Sequence, residues 1–387
     1  MTFRRPELAS AMAEQLLKPT GLSLGIRSGL FLGGSRRVGK TTFLRGDLIP
    51  ALQARGAVVV YVDLWADTTA KPTDLLRHAI VQTLAELQKP TSKALQLLSK
   101  VKGLELAGAG FKFGFKVENV GAADGVTLAQ AFTELVDQAK TDIVLIVDEV
   151  QHALGSEEGH AMLLSLKAAR DAINARPDTP GHFIFLGTGS HRARVRELTL
   201  KGNQAFNGAL SQDFPLLDGD FVQWLLDEIR AELGPKLPNP GATYKAFARL
   251  GYRPEELFKA MRALASLPSV QAPDEALAAV TEALRQSAAD VDLARLELMG
   301  PLALAVFRKV AMGDAAGVKG LFAASTVKEY EAQIGRKVAS EEIQPTVGAL
   351  VDGNFLARDS HGVYVVSDPF LIEPFREREA QARLLGH

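Results

Sequence analysis

The sequence predicts an α/β protein. A mostly parallel sheet occupies the first two hundred residues, an all-helical segment follows, and three helices with a β-hairpin end the chain. Three observations carry this. Short, nearly all-apolar, β-rich runs at 29–32, 57–64, 143–147 and 182–186 alternate with helical patterns such as 72–88 and 127–139, as strands buried on both faces of a parallel sheet do. Between 218 and 290 helices run alone, punctuated at 234–240 (GPKLPNP) and 267–268 (LP). A further unit starts near Asp292.

Bulk properties bound the function. The chain has 387 residues, enough for two or three domains. It is 47% hydrophobic and 23% charged, an ordinary globular composition. A formal net charge of −1 supplies no global field toward nucleic acid or membrane. There is no cysteine, which excludes disulfides and thiolate metal sites. No apolar run approaches the ~18 residues of a membrane span. Arg4 and Arg5 are followed by Glu7 and Glu14, so no signal peptide is visible and a cytoplasmic protein is the expectation.

The first strand runs into FLGGSRRVGKTT, residues 31–42. Gly34, Ser35, Arg36, Arg37, Val38, Gly39, Lys40 and Thr41 fit the P-loop pattern G-x4-G-K-[ST] at every fixed position. In such a loop successive N–H groups point inward and make a concavity for anions. Glycine lets the backbone approach phosphate without a Cβ in the way, and the helix that follows adds its positive end. Lys40 is placed to reach β- and γ-phosphates, and the Thr41 hydroxyl to ligate Mg²⁺; Thr42 completes the nucleotide-binding set. The helix is expected over 41–54, with Phe43, Leu44, Leu48 and Leu52 apolar.

A segment at 104–117, LELAGAGFKFGFKV, alternates Phe with Lys and reads as a solvated β-hairpin. Next, IVLIVDEVQ at 143–151 is a buried strand ending in two carboxylates. Carboxylates at the C-terminal edge of a parallel strand lie where open α/β sheets bind ligands. Asp148 is assigned to Mg²⁺, and Glu149 to orienting and deprotonating an attacking water. The strand at 182–186 ends in Gly187-Thr188-Gly189-Ser190, where Thr188 and Ser190 are alternative partners for that water or for the γ-phosphate. Arg192, Arg194 and Arg196 follow on an exposed helix, a solvated face or a source of charge in trans from a neighbouring subunit. His152, His160 and His191 have no metal-ligand spacing.

In the helical segment Arg253 precedes Pro254 at a helix start, where a short polar cap is usual. That misfit points to another role, such as reaching the γ-phosphate. In the last unit Pro301 opens a helix. Ser325 is read as the cap of a second, with Val327, Tyr330 and Ile334 on one face, and Ser340 as the cap of a third. The runs 355–358 and 363–366 then flank the turn Asp359-Ser360-His361-Gly362. Three helices and a hairpin form the pattern of a winged helix-turn-helix.

With these motifs the chain resembles the AAA+ ATPases, especially the archaeal-type ATPase group and its relatives among origin-initiator and STAND proteins. The shared marks are GGSRRVGKTTF, VVVYVDLW at 58–65, LIVDEVQ at 145–151, FLGTGS at 185–190 and the C-terminal winged helix. The resemblance implies a P-loop NTPase core of the ASCE/AAA+ type with five strands, then an all-helical lid carrying Arg253 as a sensor, then the winged helix. It also implies nucleotide-dependent assembly of like subunits. The expected division is an N-terminal segment 1–26, a core 27–217, a lid 218–292 and a winged-helix domain 293–387. No arginine stands at 206–209, which leaves an arginine finger unassigned. The Arg4-Arg5-Pro6 segment is a candidate wall of an adenine pocket.

The expected activity is ATP binding and hydrolysis, as a switch or motor whose nucleotide state is coupled to lid and winged helix. The alternatives are a signalling or defence-type regulator whose winged helix binds protein, and a DNA-binding initiator-like ATPase. A kinase is disfavoured because Asp148-Glu149 supplies a hydrolytic base, and a GTPase because no Asn-Lys-x-Asp sequence occurs. From residue 296 onward ten basic residues face twelve acidic ones, a net −2, and the third helix opens with Glu341-Glu342. Charge therefore favours a protein partner over DNA for the winged helix.

Overall fold

The computed structural model describes residues 2–67, 69–102, 110–121, 124–190, 192–200, 204–314, 316–360, 362–368 and 371–384. The chain divides into two compact units, Met1–Gly34 with Lys40–Phe214, and Ser35–Gly39 with Pro215–His387.

Among the described residues the strands of the first unit form one five-stranded parallel sheet. They are β1 (Leu30–Gly33), β2 (Val58–Asp63), β3 (Ile143–Asp148), β4 (Phe183–Gly189) and β5 (Leu210–Asp213), in spatial order β2-β3-β4-β1-β5. The central strands β3 and β4 are buried at every residue, whereas β2, at an edge, alternates buried with half-buried. β5 (LSQD) forms the other edge and is polar and short, which is why it has no apolar signature. Register sets the site: Leu32 lies opposite Thr188, Val147 opposite Gly187, and Asp63 opposite Asp148.

One core cluster packs the rings of Phe31, Phe185 and Phe206 at centroid distances of 4.2–5.4 Å. Burying one such ring stabilises by roughly 1.5–3 kcal/mol, and the pair geometry adds about 0.5–1.5 kcal/mol. Gly187 is needed beneath them, since a Cβ there would lie 2.7 Å from the Phe31 ring. The helix Leu128–Ala139 starts at a capping box of Thr127 and Gln130, and Glu157–Asn174 starts at Ser156, whose hydroxyl accepts from Gly159 N–H at 3.0 Å.

The helix after the P-loop is not uniform. It runs as Lys40–Phe43, a π turn at Leu44–Leu48, and Ile49–Gln53. The Ile49 N–H reaches back five residues to the Leu44 carbonyl. Pro50 lacks the N–H that an α-helix would give to Gly46, and the Arg4 guanidinium donates to that carbonyl instead. Arg4 also pairs with the buried Asp47 at 2.5 Å, which ties the N-terminal helix Pro6–Leu17 to this turn.

The expected hairpin at 104–117 is not formed in its described part. Residues 110–116 carry no strand, and residues 104–109 lie outside the described residues. Phe111, Phe113 and Phe115 stack in succession at 6.4 and 5.3 Å against the core. The backbone here is satisfied by side chains of the neighbouring helix: Gly114 N–H donates to Glu134 at 2.6 Å, and Gln138 donates to the Lys112 carbonyl at 2.8 Å. Those side chains replace a ladder partner.

The second unit begins with four helices, Gly219–Leu233, Pro240–Arg249, Pro254–Ser266 and Pro273–Leu298. The last runs through residues 292 and 293 without a break. There follow Pro301–Ala311, β6 (Val318–Lys319), Ala324–Ile334, Ser340–Asp352, β7 (Leu356–Ser360), β8 (Val363–Val366) and the helix Ile372–Leu384. The strands form an antiparallel sheet in order β6-β8-β7, and with the three helices they make the winged helix. Two cap assignments shift. Ser325 and Ser340 lie inside their helices, whose N-caps are Ala323 and Ala339. At Ala339 the backbone N–H is satisfied by the Glu342 carboxylate at 3.0 Å. The terminal helix Ile372–Leu384 buries little more than Pro374 and Phe375, so its sequence carried no apolar period. Its Glu373 and Glu377 pair with the buried Arg285 at 3.2 and 3.1 Å.

Candidate nucleotide site

The first unit gathers the candidate residues at the C-terminal ends of β1, β3 and β4. Asp148, the last residue of β3, is completely buried. Its carboxylate receives four donors. Thr41 Oγ1 at 2.6 Å and Tyr61 hydroxyl at 3.1 Å reach Oδ2. The Thr188 hydroxyl and the Glu149 N–H, the latter at 3.1 Å, reach Oδ1. Two hard oxygens, the Thr41 hydroxyl and the Asp148 carboxylate, thus meet at one point, a donor set that suits Mg²⁺. Among the described residues no three His, Cys, Asp or Glu side chains converge on a metal position. A magnesium ion held by these two oxygens would take the rest of its shell from phosphate and water.

Lys40 is buried and its ammonium donates to the Gly34 carbonyl at 2.8 Å, folding the side chain back along the loop it terminates. Gly34 N–H in turn bonds the Gly189 carbonyl at 3.1 Å, which fixes the loop to the end of β4. Gly39 has φ +89° and Arg37 φ +65°, the left-handed turns that such a loop needs. Val38 is buried, while Arg36, Arg37 and Thr42 are exposed. In the second unit Arg37 lies 3.5 Å from Glu256 and 3.9 Å from Glu255, an ion pair weakened by exposure.

Glu149 follows Asp148 in a left-handed conformation, φ +54°. For a residue with a Cβ this costs about 1–2 kcal/mol, a strain found at functional sites. Its Oε2 accepts from Ser190 Oγ at 2.8 Å, from Ser190 N–H at 3.2 Å, and from the Gln151 amide. The two alternatives at the end of β4 are thereby separated: Thr188 contacts Asp148, and Ser190 contacts Glu149.

Three participants were assigned no role from the sequence. Tyr61 is held as a donor to Asp148; burial first, and the neighbouring carboxylates next, push its hydroxyl well above the usual tyrosine range. Asp63 lies beside Asp148 in register, and burial together with the Asp148 and Glu149 charges raises its carboxyl above the usual range, against the Trp65 N–H bond that lowers it. The period-2 alternation of VVVYVD places Tyr61 and Asp63 on one face, which was the available signal. Gln151 is the third.

The remaining candidates sit elsewhere. Arg253 is the N-cap of Pro254–Ser266, makes no cap hydrogen bond with its side chain, and pairs with Asp368. Arg196 lies 3.9 Å from Asp213. The side chains of Arg192 and Arg194, and His191 altogether, lie outside the described residues. Arg5 stacks over Phe43 and Phe214 at 5.8 and 5.7 Å. His152 packs on Trp65 at 5.2 Å.

Residues 27–195 match the family model described as AAA domain. The match takes in the P-loop, Asp148-Glu149 and Ser190. A Walker-type ATPase of Pyrococcus abyssi shares the fold, at 18% identity and a TM-score of 0.59, over 97% of this chain and 96% of that one. The ORC2 protein of Aeropyrum pernix, solved as ADPNP–ADP complexes, aligns at 16% identity and a TM-score of 0.48, over 98% and 94% of the two chains. The ORC1 protein of the same organism, solved in complex with DNA, aligns at 14% and 0.40, over 99% and 95%. No curated protein sequence matches the chain. The matched segment takes in β1 to β4 and the acidic strand end, while the fifth strand of the parallel sheet, β5, lies beyond it. Among the described residues no helix is long and apolar enough to cross a membrane.

Proposed function

We propose that the protein binds ATP with Mg²⁺ through the AAA domain and hydrolyses it, as a switch or motor. One observation carries the reading: Thr41 and Asp148 meet at 2.6 Å directly after the Lys40 loop, with Glu149 the next residue along. The backbone of 34–39 cradles the phosphates and Lys40 compensates β- and γ-phosphate charge. Thr41 and Asp148 hold Mg²⁺, which supplies neutralisation of the charge on bridging and terminal oxygens. Glu149 orients a water and takes its proton, and Ser190 or Thr188 steadies that water or the γ-phosphate.

The magnesium assignment is tested by ATP affinity with Mg²⁺ and with EDTA. Asp148→Asn is expected to lose most of the magnesium-dependent gain seen in the wild type. An undiminished gain would place the ion elsewhere.

In the proposed cycle Arg253 reports nucleotide state from the lid, and its Asp368 contact links that report to the segment after the winged-helix strands. Assembly with like subunits accompanies the ATP state. A second reading, a regulator whose winged helix grips a protein, is favoured by charge. Of the four cations around the second helix and the wing (Lys328, Arg336, Lys337, Arg358), Arg336 is already paired with Glu342 at 2.8 Å. DNA binding by the full chain is therefore expected to be weak at low salt and lost near ~150 mM. Fluorescence anisotropy with duplex DNA measures it. Tight binding that survives that salt would favour the initiator-like alternative.

A further inference from the structure

The helices Pro240–Arg249 and Pro273–Leu298 run side by side in the same direction. Asn239 N–H donates to Asp274 at 2.9 Å where both begin, and Arg249 pairs with Glu282 at 3.0 Å where the shorter one ends. Between these two contacts the facing residues Gly241, Ala242, Ala246 and Ala278 are small. They leave a cleft of about 510 Å³, within the size range of small-molecule sites. It lies wholly inside the second unit and shares no residue with the nucleotide site.

The acceptors of this cleft are already engaged. Both Asp274 oxygens take hydrogen bonds from Asn239, and both Glu282 oxygens are held by arginines, Arg249 and Arg285. Two donors on the same cleft remain. Among the described residues the Lys245 ammonium has no hydrogen bond or ion pair. Thr281 is 3% exposed, and its hydroxyl is buried without a partner. A threonine inside a helix commonly gives its hydroxyl to the carbonyl four residues back. Thr83, Thr243 and Thr346 do so, at 2.9, 2.9 and 2.7 Å. Thr281 forgoes that bond, and a buried hydroxyl left unsatisfied is destabilising.

We infer that this cleft binds a small organic acid with an apolar body. The carboxylate accepts from the Lys245 ammonium and the Thr281 hydroxyl, and the hydrocarbon part lies on Gly241, Ala242, Ala246 and Ala278. Spare donors beside engaged acceptors select an anion over a cation. One ammonium matches the single charge of a carboxylate, whereas a phosphate monoester carries nearly two. Arg249 is shared between Glu282 and Glu373 and adds no free charge.

The test is titration of the full chain with 4-phenylbutyrate, beside its neutral amide 4-phenylbutyramide, by ligand-observed NMR. The carboxylate is expected to bind about tenfold or more tightly than the amide, the difference one charge-assisted hydrogen bond makes. Lys245→Met keeps the aliphatic stem without the charge, and Thr281→Val keeps the shape without the hydroxyl. Each should weaken 4-phenylbutyrate by about tenfold. Thermal melting checks both folds, and Thr281→Val should melt about 2–4 °C higher, since it removes an unsatisfied buried group. No binding of the carboxylate, equal binding of carboxylate and amide, or unchanged affinity in either folded variant would overturn the inference. None of these results bears on ATP hydrolysis at Glu149.

Discussion

Glu149→Gln is expected to keep ATP bound and to stop its hydrolysis. Glutamine has the volume of glutamate and can still face Ser190, whose hydroxyl can donate to the amide oxygen as it donates to Oε2 now. What is lost is the ability to accept a proton. Positioned general bases contribute roughly 10²–10⁴-fold, so phosphate release should fall by at least about a hundredfold. The neighbouring Asp148 cannot substitute, because its four hydrogen bonds direct both of its oxygens into the Thr41, Tyr61 and Thr188 cluster. ATP affinity by titration calorimetry should stay within a few-fold of the wild type. Hydrolysis at the wild-type rate would make Glu149 a structural residue.

Lys40→Ala should remove nucleotide binding itself. The ammonium is buried at the end of β1 and rests on the Gly34 carbonyl, so it is pre-positioned over the loop. Deleting it leaves triphosphate charge uncompensated in a partly desolvated site. Hydrogen bonds to charged groups contribute about 1.5–3 kcal/mol each, so loss of a cation touching two phosphates should weaken Kd by roughly a hundredfold or more. Thermal melting of the variant checks that the fold survives. Unchanged affinity for Mg·ATP would refute the P-loop assignment.

How far the sequence spoke for itself can be seen residue by residue. The P-loop, the acidic strand end and the polar turn after β4 were legible because each couples a fixed spacing to an apolar strand. The ends of β1, β3 and β4 then bring Lys40, Thr41, Asp148, Glu149, Thr188 and Ser190 into one place. Gln151 lay in plain view in LIVDEVQ, yet its contact depends on a left-handed turn at Glu149 and an absent Cβ at Gly189, which no spacing reveals. β5 escaped because an edge strand of Leu-Ser-Gln-Asp buries little. The π turn at Leu44–Leu48 follows from Pro50, a signal that was present but unread. The phenylalanines at 111, 113 and 115 have the period of a strand, but their polar backbone groups found side-chain partners instead of a ladder. The terminal helix is held by charge, through Arg285, rather than by an apolar face.

The coupling of Arg253 to Asp368 is of the same kind. A misplaced arginine at an N-cap was visible in the sequence, but its carboxylate lies 115 residues away. Nothing local specifies that pairing.

The most direct measurement is phosphate release from ATP by the full-length protein, with and without Mg²⁺, run beside Glu149→Gln. Catalytic ATP hydrolysis at this site requires magnesium-dependent, multiple-turnover release by the wild type and near-background release by the variant. No magnesium-dependent release by the wild type, or equal release by the two proteins, would contradict it.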